Sequence, residues 1–184
     1  GERYLARREG LINGSKGSSP ESQQLIMDAL KDPFWGIREE AIALTTKLKD
    51  DKKIEAIAVL KEMVVKDPKS SVRGAALAKL GKLMEPNEVE PLYIAAIASD
   101  SSYSVISSAL SSLGKDNPEK ALALAAPLEN EKSSKMLSGI AQLYAGHAGP
   151  EKYNLFENII NGNVLQGYDK LGVIGAYTGF VTRQ

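Results

Sequence analysis

The sequence predicts an all-α fold, an α-α superhelix of about five antiparallel helix pairs. The first observation behind this is a phrase that returns roughly every thirty-odd residues. It reads Asp32-Pro33-Phe34-Trp35-Gly36-Ile37-Arg38 and then Asp67-Pro68-Lys69-Ser70-Ser71-Val72-Arg73, with a weaker copy from Asp100 through Val105. Counting from each Asp, the fifth position is aliphatic (Ile37, Val72, Val105), the ninth is Ala (Ala41, Ala76, Ala109) and the tenth is a larger aliphatic (Ile42, Leu77, Leu110). The second observation is that apolar residues between these phrases recur at helical spacing, with no alternating strand pattern. The third is punctuation: Pro and capping residues stand where each helix would have to stop or start.

The copies decay outward. Asn130 and Asn163 stand in the Asp position of a fourth and a fifth copy, which puts Gly139 with Ile140, and Gly172 with Val173, in the Ala and aliphatic slots. Arg7, Gly10 and Leu11 fit the second half of a copy that would begin before the first residue. Gly1 in place of a Met, together with that half repeat, predicts a piece of a longer polypeptide. The domain plan is a single solenoid over 1–184, with the half repeat at 1–14, a linker at 15–19, and repeats at about 20–50, 52–85, 86–115, 117–147 and 149–184.

In the first full repeat, Ser19-Pro20-Glu21 opens a helix through Leu25, Ile26, Ala29 and Leu30, and its partner spans roughly Gly36 to Leu48. In the second, Ile54, Ile57, Leu60, Val64 and Val65 share helical spacing. Asp67-Pro68 ends that helix, because proline excludes the α region for the residue before it. Ser70 or Ser71 caps the next helix, which carries Val72, Ala75, Ala76, Leu80 and Leu83. Glu85-Pro86-Asn87 closes it, with Asn87 as the next cap. Val89 to Ala98 then pairs with Tyr103 to Leu113. Asn117-Pro118-Glu119 caps a helix through Ala125, whose partner runs from about Ser133 to Ala145. Gly149-Pro150-Glu151 starts a helix ending near Ile160, and the last covers roughly Val164 to Val181. The small ninth-slot residues predict a close crossing of the two helices within each repeat. Gly172, Gly175 and Gly179 predict close packing, or an irregular last helix, since each glycine costs a helix about 1 kcal/mol relative to Ala.

Composition narrows function. The 184 residues carry 23 basic and 23 acidic side chains, a balance that argues against a nucleic-acid binder or an anionic-membrane binder. A DNA-repair enzyme on such repeats would need a basic groove, and no basic stripe is present. No run approaches the ~20 apolar residues of a membrane span. No signal peptide is visible, and neither that nor the composition fixes a compartment. There is no Cys, which rules out disulfides and thiolate metal sites. The single His, His147, is read as a loop residue and has no second His for a zinc site. The Gly14–Ser19 stretch lacks the Gly-Lys-Ser/Thr ending of a phosphate loop and reads as a linker. Glu39-Glu40 and Asp50-Asp51 read as solvated charge, as does the Lys47, Lys49, Lys52 and Lys53 cluster. No catalytic, metal or cofactor residue is assigned to this chain.

The residues singled out are therefore structural. Asp32, Pro33, Arg38, Asp67, Pro68, Arg73 and Asp100 form the repeat signature. The Asp is expected to accept backbone N–H groups in the turn, and the Arg to pair with an Asp of its own or an adjacent repeat, giving a ladder. Ile106 stands where the third Arg would be, so the ladder should break there. Phe34 and Trp35 carry two readings: packing within the turn or against the half repeat, and a docking surface for a partner.

The Asp-Pro-x-x-x-Val-Arg-x-x-Ala phrase on paired helices resembles the HEAT-type repeat, best at Asp67, Pro68, Val72, Arg73 and Ala76. The whole stretch also resembles the C-terminal helical-repeat region that follows the catalytic domains of some bacterial zinc aminopeptidases related to aminopeptidase N. Four segments carry that likeness: Tyr4–Glu9, Asp32–Arg38, Asn117–Ala121 and Leu171–Tyr177. The family's catalytic His-Glu-x-x-His and Gly-x-Met-Glu-Asn motifs are not in this chain. The resemblance implies a non-catalytic accessory module that packs on the catalytic domain of the same polypeptide and shapes peptide access. It puts zinc in that other domain and implies no nucleic-acid or membrane partner. The alternative is a free-standing HEAT-like scaffold for protein–protein interaction.

Overall fold

The computed structural model describes residues 2–184. Among these residues it is all helical, with no strand. The helices are α1 (Glu2–Gly14), α2 (Pro20–Ala29), α3 (Trp35–Leu44), α4 (Asp50–Lys66), α5 (Ser70–Leu83), α6 (Pro86–Ser99), α7 (Tyr103–Asp116), α8 (Pro118–Ala125), α9 (Ser134–His147), α10 (Tyr153–Asn161) and α11 (Gly167–Arg183). Short 3-10 turns at Thr45–Lys47, Ala126–Leu128 and Pro150–Lys152 extend or precede helices. The chain gathers into two compact units, one through Val89 and one from Glu90 to Gln184.

In the first unit, α1, α3 and α5 stack as one layer while α2 and α4 form a second layer against them. Apolar residues three and four apart face inward, and Ala41, Ala56, Leu60, Val72, Ala76 and Leu80 are fully buried. Ser19 caps α2, its hydroxyl accepting the Ser22 amide at 3.2 Å. In the second unit, α7, α9 and α11 stack in one layer, with α8 packed on α7 and α9 and α10 packed on α11. Ala109, Leu110, Leu113, Ala121, Met136, Ile140 and Phe180 fill its core. Asn117 caps α8 by accepting the Lys120 amide, and Ser133 caps α9 by accepting the Met136 amide. Arg183 and Gln184 donate to the Tyr144, Ala145 and Ala148 carbonyls, satisfying acceptors that the end of α9 leaves open.

Several local expectations are corrected. Neither Ser70 nor Ser71 caps α5: Lys69 holds the cap position, and the Asp67 carboxylate accepts its amide at 2.9 Å. Asn87 lies inside the first turn of α6 rather than before it. Ile54 and Val65, though at helical spacing, face solvent. Ser15, in the expected linker, is fully buried; its hydroxyl donates to Ile12 O, and its carbonyl accepts the Lys47 ammonium at 3.1 Å. His147 is the last residue of α9, not a loop residue. The close approach at the ninth slot of the fourth copy is also reassigned, while at that of the fifth, Gly172, a Cβ would meet nothing within 4 Å. A Cβ on Gly139 would stand 2.6 Å from Ser107 of α7, so the tight contact joins successive helices of one layer, not the two helices of a hairpin.

One buried polar cluster gives the second unit a pH signature. The Tyr144 hydroxyl donates to Glu129 at 2.5 Å, and the Lys152 ammonium reaches the same oxygen at 2.6 Å. Burial first, then the bond to Glu129, pushes the Tyr144 phenol far above its ordinary value of 10.0. A folded-state value raised above the unfolded one means that the neutral phenol is the favoured native form. Its contribution is fully present below about pH 10 and is lost as pH climbs further. Urea midpoints of wild type and Tyr144→Phe should therefore keep their separation up to about pH 10 and converge only as pH rises beyond it. At neutral pH the variant should lose about 1 kcal/mol, the worth of one hydrogen bond.

Candidate interaction surface

The turn that opens α3 is built around one carboxylate. Asp32 Oδ1 accepts the Phe34 amide at 2.7 Å, which closes the turn and leaves Phe34 extended ahead of the helix. The same contact recurs from Asp67 to the Lys69 amide and from Asp100 to the Ser102 amide. This gives the repeated Asp a physical reason: it satisfies a donor that the Pro or Ser turn would otherwise strand.

In the first unit, Arg7 and Arg38 each reach the Asp of the following copy. Arg7 meets Asp32 at 2.9 Å in an exposed pair. Arg38 forms a bidentate pair with Asp67 at 2.7 and 2.8 Å, with side chains only 10% and 6% exposed. Arg38 also donates to the Asp32 and Pro33 carbonyls, and Arg73 donates likewise to the Asp67 carbonyl. Arg38 and Arg73 thus bind their own turns, and Arg7 and Arg38 bind the turn of the next copy. Ile106 is buried, and in the second unit neighbouring repeats are joined differently: Tyr103 donates to Glu131 at 2.8 Å and Ser107 to the Lys135 carbonyl at 3.0 Å. Lys120 and Asn117 both bind Glu90, holding its carboxyl below the usual range.

On this rigid turn sits an aromatic cluster. Phe34 lies 5.0 Å from Tyr4 of α1 and 5.4 Å from Trp35. Gly36 makes room for it: a Cβ there would meet Phe34 at 2.8 Å and Tyr4 at 3.3 Å. Phe34 therefore packs inward, on the half repeat. Trp35 does not: it is 40% exposed, with the Lys69 ammonium 5.0 Å above its ring, and Leu5 of α1 is also exposed. Tyr4, Gly36 and Lys69 complete this cluster and carry no spacing signal that would have linked them to Trp35 in advance. Pro33 and Pro68 are exposed at the two turns and shape the backbone only.

A second surface lies between α7 and α9. It is a shallow groove of about 360 Å³ lined by Ser107, Ser108, Ser111, Ser112, Gly139 and Gln142. The paired carboxylates find ordinary roles, Glu40 binding Arg8 at 2.7 Å. Among the described residues, no three His, Asp or Glu side chains gather where a metal could sit, and no helix is long and apolar enough to cross a membrane.

These features define an all-α protein of helical-hairpin repeats with an aromatic edge. No family model, curated protein or solved structure matches the chain.

Proposed function

We propose that this chain is a non-catalytic helical-repeat module of a zinc aminopeptidase, packed on the catalytic domain and bounding the route by which peptides reach the metal. The observation that carries the reading is the Trp35 edge. An exposed indole, with the Lys69 ammonium over its ring, stands on a turn fixed by the Arg38–Asp67 pair. Rigid, partly exposed Trp side chains are the usual anchors of protein interfaces. The resemblance of the Tyr4–Glu9 and Asp32–Arg38 segments supports the choice of partner. The module acts by contact and exclusion, and the zinc and its chemistry belong to the catalytic domain. A free-standing scaffold is the second reading, favoured by the hydroxyl-lined groove between α7 and α9, whose short uncharged side chains suit a peptide backbone.

The test is peptidase activity, under zinc, of the full-length polypeptide that contains this segment, on short and long peptides. Deleting the segment should change stability or length preference, and Trp35→Ala should do the same more weakly. A full-length protein without zinc-dependent peptidase activity would refute the aminopeptidase reading and leave the scaffold.

A further inference from the structure

We propose that the groove between the end of α2 and the second half of α4 binds a short acidic peptide segment of another protein, with a large apolar side chain on its floor and the flanking carboxylates held by lysines on its rim. The groove adjoins the Trp35 turn through Lys69, and it does not depend on the aminopeptidase reading.

The two outer helices of the first unit leave a groove of about 420 Å³ between them, within the size range of ligand sites. Its walls come from two successive hairpins, so it is not an end face of the stack. Leu30 and Met63 form the floor and are only 2% and 7% exposed, with Val59 half-buried beside them. The core behind holds these side chains, so the floor is formed before anything binds. Met63 adds a thioether surface that adapts to different apolar side chains.

The rim is charged, and its charges are unequal. Two carboxylates line the groove, and both are engaged: Asp67 holds Arg38, and Glu62 holds Lys66 at 2.9 Å. The Lys66 bond first, and then the nearby Lys31 charge, keep the Glu62 carboxyl below its usual range. Lys31 on one wall and Lys69, next after Pro68 of the other, form no ion pair among the described residues. The Lys69 ammonium lies over the Trp35 ring instead, 5.0 Å from its centre. With Asp67 matched by Arg38, three ammonium groups face one carboxylate around an aliphatic floor.

An occupant has to match both parts. A Leu or Phe side chain flanked by Glu or Asp does so, covering the floor while its carboxylates meet Lys31 and Lys69. A basic segment would meet like charge. Nucleic acid would find too few lysines for a row of phosphate contacts and no ring on the floor for a base to stack on. Exposed lysines and one seated side chain make a weak complex, with a Kd of roughly 10 µM to roughly 1 mM that rises with salt.

The test is a titration of this chain with four blocked octapeptides, followed by amide chemical shifts. They carry Leu-Phe or Gly-Gly at the centre and Glu or Lys on both sides. None contains Trp, so the emission of Trp35, the single Trp, gives a second readout. The peptide with Glu-Leu-Phe-Glu should bind with a Kd below about 1 mM and shift the amides of Lys31, Val59, Lys66 and Lys69. Exchanging Leu-Phe for Gly-Gly, or Glu for Lys, should weaken it by about tenfold or more. Lys31→Glu should do the same, whereas Lys82→Glu, on α5, should not. Both lysines are exposed, so neither variant should lower the thermal midpoint, which separates lost binding from lost folding. No binding below about 1 mM, equal binding of the basic peptide, or indifference to Lys31→Glu would overturn the proposal. An oligothymidylate that binds as tightly would reduce the site to a patch of charge and overturn it equally, as would shifts confined to the serine groove between α7 and α9. Zinc-dependent peptidase activity of the full-length polypeptide has no bearing on these outcomes, so the two readings fail separately.

Discussion

Arg38→Met is expected to destabilise the first unit by about 3–5 kcal/mol, the range for removing one partner of a buried ion pair. The reason is what remains behind. Asp67 keeps its charge, almost out of contact with water, and loses both guanidinium bonds at 2.7 and 2.8 Å. It keeps the Lys69 amide. The Asp32 and Pro33 carbonyls each lose a donor as well. The exposed homologue of this pair gives the internal control. Arg7→Met breaks a pair whose Arg is 45% exposed and should cost no more than about 1 kcal/mol. Adding Asp67→Asn to Arg38→Met should recover at least about 1 kcal/mol, because the stranded charge is gone while the amide oxygen still closes the turn. Urea unfolding followed by the fluorescence of Trp35, the single Trp, reads the turn directly. Equal losses in Arg38→Met and Arg7→Met would show that burial of the pair is not what makes it matter.

What the sequence made visible was the repeating hairpin, because it is written in local chemistry. Asp-Pro ends one helix, and the apolar spacing of Ile37, Ala41 and Ile42, or of Val72, Ala76 and Leu77, starts the next. Helix ends marked by side-chain caps, at Ser19 and Asn117, were legible for the same reason. Ends that depend on a side chain two residues earlier were not. The carboxylate of Asp67, rather than Ser70 or Ser71, organises the start of α5, and an Asx turn leaves the same letters in the sequence as a serine cap. Contacts between repeats were the least legible. Spacing marks Gly139 as a small-residue slot but does not say which helix it meets, and that proved to be the previous helix of the same layer. The aromatic edge was half visible. Phe34 and Trp35 stand together in the chain, yet one packs on Tyr4 and the other faces water, and the choice is made by Gly36 and by the position of α1.

Phe180→Ala should cost the second unit about 3–5 kcal/mol, the usual range for emptying a buried phenyl site. Phe180 is fully buried, 4.8 Å from Phe156 and 5.0 Å from Tyr153, and Phe156 in turn stacks on Tyr177 at 5.4 Å. These four rings carry the contact between α10 and α11. Such pairs add about 0.5–1.5 kcal/mol each beyond the area they bury, and two of them end on Phe180. The loss should be local before it is global. With its anchor removed, the end of α11 frays, and Arg183 leaves the carbonyls that it satisfies at the end of α9. Amide hydrogen exchange should therefore rise first in α10, α11 and the last turn of α9, while α3 to α5 keep their protection. Phe180→Leu, which retains most of the volume, should lose less and leave that order unchanged. A Phe180→Ala protein that loses stability evenly across the unit would mean that the aromatic cluster is one part of a uniform core and not the hinge on which α11 is held.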